Sequence, residues 1–207
     1  MQDYNFHTLT DSHGKPCKFS TESIAYYFAS KKRKVTPFDF NVFDSTGTSL
    51  FNYSIQENKM GIFKKILSMT EETEGLFPFI KYTCTEYPIH LIFRLGDYDK
   101  FMMLRAACPK SISTQLRNLK DNNGDSPIEV LSTLPKECDD IEKIKIGKMK
   151  IASLILSNYQ NCVPQNYRDS FGNVTSFTQH VREDNNFPEL ANLIDAYQTT
   201  HTAGKTK

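Results

Sequence analysis

Along most of the chain, apolar residues come in short runs at spacings of three and four, with polar turns between them. In Thr48–Leu67, Phe51, Ser54 and Ile55 line one run, and Ile62, Phe63, Ile66 and Leu67 line a second. That spacing predicts two short amphipathic helices with a turn around Glu57–Met60. Residues 87–104, YPIHLIFRLGDYDKFMML, repeat the arrangement, and Asp121–Leu131, DNNGDSPIEVL, opens it again. Near the N-terminal end Ile24, Tyr27 and Phe28 share one face of a predicted helix, and NFPELANLIDAY predicts a last one.

The polar punctuation recurs as well. DSHG begins at Asp11, DSTG at Asp44, DNNG at Asp121 and DSFG at Asp169. Asp11 to Asp44 is 33 residues, Asp44 to Asp121 is 77, and Asp121 to Asp169 is 48. A unit of roughly 33 residues with insertions accounts for these intervals, the longest holding two units, and marks a helical repeat array. In the second of those two, Tyr82 stands where the aspartate would be. Asn41, Asn118 and Asn166 each lie three residues before an aspartate, which places a short polar hairpin between units. Gly47, Gly124 and Gly172 supply its positive-φ position without steric cost. After the hairpin, Ser126–Pro127 starts a helix: the hydroxyl accepts from an orphan N–H, and proline needs none in the first turn. Tyr87–Pro88 holds the same place, although Tyr87 cannot cap in this way.

These residues resemble the ankyrin repeat family, whose pattern runs D-x-x-G-x-T-P-L-H-x-A, then a second helix and a G-A-D-V-N link. DNNGDSPIEVL and YPIHLIF match the first part, and FDFNVFD, ending at Asp44, resembles the link. The resemblance covers about residues 37 to 195. Departures are Ser49–Leu50 in place of Thr-Pro, the missing Asp and Gly near residue 82, and NVTSF followed by FPEL in the last unit. It implies an all-α, ankyrin-like solenoid of helix-turn-helix repeats with short β-hairpin loops. Residues 1–36 would be an N-terminal capping segment, 37–197 the repeat array, and 198–207 a polar, disordered tail. Stacked helix pairs bury a core that no single pair can, and the ends need polar caps.

The family resemblance further implies binding of another protein, through the hairpin fingers and the concave helix surface. The contact positions it implies are Phe43, Ser45, Thr46, Gln56, Glu57, Arg94, Leu95, Lys120, Asn122, Asn123, Arg168, Ser170 and Phe171. Phe43, Tyr167 and Phe171 flank hairpin aspartates; they form either an exposed aromatic edge for a partner or packing between adjacent hairpins. The chain is similar to ankyrin proteins that intracellular bacterial pathogens deliver into host cells, which makes a host-cell effector part of the expectation.

Composition removes other classes. A formal net charge of +1 aims no field at nucleic acid or membrane. No apolar stretch approaches the ~18 residues of a membrane span, and no N-terminal apolar run reads as a signal peptide, so a cytoplasmic monomer is expected. Cysteines at 17, 84, 108, 138 and 162 are odd in number and contain no CxxC pair, against both a disulfide framework and structural zinc. Cys84, Cys108 and Cys162 read as small core groups. His13 and Cys17 lack the further partners that a metal or nucleophile needs, and none of the nine glycines sits in a phosphate-cradling loop. His90 reads as a histidine bonding across the hairpin. Lys31–Lys34, KKRK, reads as a solubilising helix end, with nuclear import or a lipid-facing patch as the alternatives. No cofactor or catalytic residue is expected. The competing expectation is an enzyme, or an enzyme's regulatory arm, with its site in the charged insertion 131–150.

Overall fold

The computed structural model describes residues 7–31, 39, 42–72, 86–159, 162–168 and 171–202. Asn41, Tyr82, Cys84, Asp169, Ser170 and residues 32–34 lie outside the described residues. The protein is mostly helical. It divides into two compact units, Met1–Leu91 with Met102–Ser111, and Ile92–Phe101 with Ile112–Lys207.

In the first unit, β1 (His7–Thr8) pairs in parallel with β2 (Val42–Phe43), Thr8 opposite Phe43. The ladder continues past the strand ends: Leu9 donates to the Phe43 carbonyl at 2.7 Å and Ser45 to the Cys17 carbonyl at 2.9 Å. Two turns, bridged at Thr10–Pro16 and at Phe43–Ser49, therefore run side by side. Helix α1 (Thr21–Ala29) half-buries Ile24, Tyr27 and Phe28, the face anticipated from their spacing. Helices α2 (Leu50–Gln56) and α3 (Met60–Glu72) form an antiparallel-type pair around Phe51, Ile55, Phe63 and Ile66, with the Phe51 and Phe63 rings stacked at 5.2 Å. Lys31 pairs with Asp39 at 3.0 Å and lies over the Tyr27 ring, so this member of the KKRK run is engaged with its own unit. His90 is buried beside the Tyr87 ring, at 5.6 Å.

Helix α4 (Pro88–Leu95) leads to Gly96, then to α5 (Tyr98–Ala107) and α6 (Pro109–Asn118). The second unit adds α7 (Pro127–Ser132), α8 (Ile141–Asn158), the hairpin of β3 (Asn166–Arg168) and β4 (Val174–Ser176), α9 (Phe177–Glu183) and α10 (Pro188–Thr202). Ile128, Leu131, Ile155, Phe177, Leu190 and Ile194 close its core. Cys162 is buried here, and Cys108 is buried in the first unit, as small apolar groups.

Two local devices recur. The first is the aspartate turn. At Asp11, Asp44 and Asp121 the carboxylate Oδ1 accepts the N–H two and four residues on, at 2.8 to 3.1 Å. The same aspartate's carbonyl accepts the glycine N–H at 3.0 Å, with Gly14, Gly47 and Gly124 at φ 77°, 79° and 85°. One short side chain thus replaces two bonds that water would otherwise have to make. A serine cap follows: Ser20, Ser49, Ser126 and Ser176 each accept an N–H from the first turn of α1, α2, α7 and α9. Ser126 and Glu129 close a reciprocal capping box.

The second device joins consecutive helices. Asn58, Gly96 and Asn186 take φ 50°, 61° and 49° in the turns α2–α3, α4–α5 and α9–α10. Lys59 then donates to the Ser54 carbonyl at 2.8 Å and Asp97 to the Ile92 carbonyl at 3.0 Å, the left-handed closure of a helix end.

Two expectations need correction. Phe43 is no finger-tip aromatic: it is 8% exposed, because as a β2 residue it pairs with Thr8 and bridges to Ser49. The tail is not unstructured from residue 198, since α10 continues to Thr202; Gln198 and Thr199 carry no helix breaker, and the Thr199 hydroxyl donates to the Asp195 carbonyl. Within the Asp44 turn the Thr46 hydroxyl also donates to Asp44 at 2.6 Å. The insertion 131–150 resolves into a link over 133–140 and a long α8.

Candidate functional site

In the second unit a groove of about 650 Å³ lies among the end of α6, the Asp121 turn, the start of α7 and strand β3. Its walls are built by the devices just described. The turn presents Asn123, Gly124 and Asp125; the capping box presents Ser126 and Glu129; β3 presents Asn166, Tyr167 and Arg168; α6 presents Leu116 and Arg117. A volume of this size is within the ~300–1,000 Å³ usual for ligand sites, but the lining is polar.

Its charges are arranged unevenly. Glu129 takes the Ser126 N–H at 2.5 Å and the Lys120 ammonium at 3.0 Å. Burial alone would raise its carboxyl; the Ser126 bonds and Lys120 outweigh that and hold it below the ordinary value. Asp125 is shifted the other way, by burial first and then by the neighbouring Asp121 and Glu129 charges. Arg117 reaches back along α6 to the Ser113 hydroxyl at 2.8 Å and the Ser113 carbonyl at 3.3 Å. Arg168 is exposed on β3. Tyr167 is fixed by stacking on His180, with ring centroids 3.5 Å apart and planes 8° from parallel. His180 in turn contacts Asp184 at 2.7 Å.

Of the thirteen positions expected to meet a partner, the groove brings together Lys120, Asn123 and Arg168. Asn122 is exposed in the same turn. Arg94, exposed near the end of α4 beside an exposed Leu95, sits 3.8 Å from Asp121, the residue that shapes that turn. Phe171 is 90% exposed between β3 and β4. In the first unit Ser45 and Thr46 are exposed in the Asp44 turn, and Gln56 and Glu57 at the end of α2. Ser170 lies outside the described residues.

Tyr167, one of the three hairpin aromatics, is in the groove, and sequence reasoning missed Arg117, Asp125 and Glu129 as groove residues. Glu129 had a legible signal, since it stands three residues after a serine at a helix start. Arg117 had none, because its place depends on which helix flanks the turn. It missed Lys148 as well. This α8 side chain is 1% exposed, and its ammonium donates to the Val130 carbonyl at 2.9 Å and the Thr133 carbonyl at 2.5 Å. It closes the C-terminal end of α7, where carbonyls lack partners. Burial, with some help from the Arg94 charge, pushes its pKa down to about 7.

Among the described residues no group of His, Cys, Asp or Glu is placed to hold a metal ion, and no helix is long and apolar enough to cross a membrane. Comparison of the chain with protein families, curated proteins and solved structures finds no match.

Proposed function

We propose that this chain is a divergent ankyrin-like helix-pair repeat protein that binds another protein, and that it has no catalytic activity of its own. The contact surface in this reading comprises the hairpin turns and the groove beside the Asp121 turn. The observation that carries it is the recurrence of one turn at Asp11, Asp44 and Asp121, with the same bonds and the same glycine geometry. Such a turn spends its aspartate and glycine on shape and leaves the two residues between them pointing outward. In the third copy those are Asn122 and Asn123, both exposed. Rigid turns presenting variable side chains suit recognition, as loops on a fixed scaffold do elsewhere. Delivery into a host cell belongs to the same proposal by analogy with the family alone.

The test is a comparison of intact protein with an Asn122→Ala, Asn123→Ala, Phe171→Ala variant. Exposed substitutions of this kind stay within about ±0.5 kcal/mol of stability, so the melting temperature should hold. Captured partners should be lost from a cell lysate. An unchanged set of captured proteins with an unchanged melt would remove the hairpins from the binding surface.

A further inference from the structure

We propose that the groove beside the Asp121 turn takes an acidic, extended segment of a partner protein, whose carboxylates pair with Arg117 and Arg168. This rests on the reading of that groove as a protein-binding surface and adds the chemistry of its occupant.

The argument is a charge inventory. Five charged side chains line the groove: Arg117, Lys120, Asp125, Glu129 and Arg168. Lys120 and Glu129 neutralise each other at 3.0 Å, and Glu129 is further held by the Ser126 N–H of its own capping box. Glu129 is committed to the start of α7, whereas Lys120, half exposed and outside the capping box, keeps further donors for a ligand. Among the described residues Arg117 and Arg168 have no carboxylate partner: Arg117 bonds only Ser113, and Arg168 stands exposed on β3. Arg117 spends its Nε and one Nη edge on Ser113 and keeps the other Nη edge for a carboxylate, while Arg168 offers its whole guanidinium, the group that matches a carboxylate in bidentate geometry. Asp125 and Glu129 place two carboxylates in the same groove.

These two acids decide between occupants. A nucleic-acid backbone carries closely spaced phosphates along its whole length and would meet both Asp125 and Glu129. A peptide can space its carboxylates to meet the arginines and offer N–H groups to Asp125 and to the Asn123 and Asn166 amides. The Tyr167 ring, immobilised on His180, adds a flat wall at low entropic cost.

The experiment uses the full chain and four fluorescein-labelled probes: glutamate-rich, lysine-rich and uncharged glycine–serine peptides of equal length, and a single-stranded oligothymidylate. Anisotropy should show binding of the glutamate-rich peptide, weakening as salt is raised. Arg117→Ala and Arg168→Ala should each lower its affinity about tenfold or more, the loss of a hydrogen-bonded charge pair. Lys59→Ala, an exposed cation of the first unit, should change nothing. Circular dichroism melts of each variant confirm that all are folded. If the lysine-rich or uncharged peptide bound better, with a dependence on Asn123, the acidic occupant would be wrong and the groove would stand as a peptide site. Preferred binding of oligothymidylate, or glutamate-rich binding indifferent to both arginines, also overturns the proposal. Binding of none of the four removes the groove as a docking surface.

Discussion

Gly147 of α8 packs against the carbonyl of Gly96 so closely that a β-carbon on Gly147 would stand 1.8 Å from that oxygen. The approach is reciprocal: a β-carbon on Gly96 would lie 2.4 Å from the Ile144 carbonyl oxygen. Backbone meets backbone here, so no side chain can swing aside to relieve the contact. The turn after α4 and the middle of α8 are thereby locked together inside the second unit. Overpacking a tight core costs about 1–3 kcal/mol and occasionally more.

Gly147→Ala should therefore destabilise the protein by about 3 kcal/mol or more in urea unfolding, despite the higher helix propensity of alanine. Gly61 supplies the control. It also lies in a helix, α3, but nothing stands within 4 Å of a β-carbon there. Gly61→Ala should stabilise by about 0.5–1 kcal/mol. Equal effects at the two sites would show that α8 does not approach Gly96 as described.

Asp121 is expected to matter more than its place in an exposed turn suggests. Its side chain is 4% exposed, accepts the N–H groups of Asn123 and Asp125, and faces Arg94. Alanine there leaves two donors to find water and a guanidinium without its acid, a loss of about 2 kcal/mol. Asp121→Asn, which keeps one acceptor oxygen, should recover much of it. Thermal melts of both variants separate the two expectations; an asparagine variant as weak as the alanine one would assign the effect to charge instead.

Much of this architecture was legible because it rests on local chemistry. Asp, Gly and Ser fix the turns through bonds within five residues of each other, so their spacing survives as text. Ile128 and Leu131, three residues apart just after the Ser126–Pro127 helix start, are both buried. Phe43 misled because its neighbourhood is not local: its partner strand is residues 7 and 8, in a parallel pairing that no alternation announces. The groove was half legible. Lys120, Asn123 and Arg168 are among the positions the family resemblance implies and Tyr167 is one of the hairpin aromatics, whereas Arg117 depends on how α6 flanks the turn. Lys148 was hidden among the charges of residues 136–150, where one buried cation looks like its solvated neighbours.

Lys148 gives the last prediction, which concerns pH. Its folded-state pKa is near 7, below the ordinary value of 10.5. Between those values the unfolded chain binds a proton that the folded chain does not, so protonation draws the equilibrium toward unfolding. The contribution of Lys148 to stability is therefore largest above about pH 10.5 and falls as pH drops to 7, with little further change below. The slope is at most about 1.4 kcal/mol per pH unit across that window. Lys148→Met removes the titration and the two carbonyl bonds together, and only the titration depends on pH. Urea unfolding of both proteins at pH 7 and pH 9 should show the native protein gaining stability relative to the variant by on the order of 2 kcal/mol, cysteine and tyrosine titrations cancelling in the difference. Parallel pH profiles would mean that the ammonium stays charged against the Val130 and Thr133 carbonyls, and that the end of α7 is closed by a cation rather than by a neutral amine.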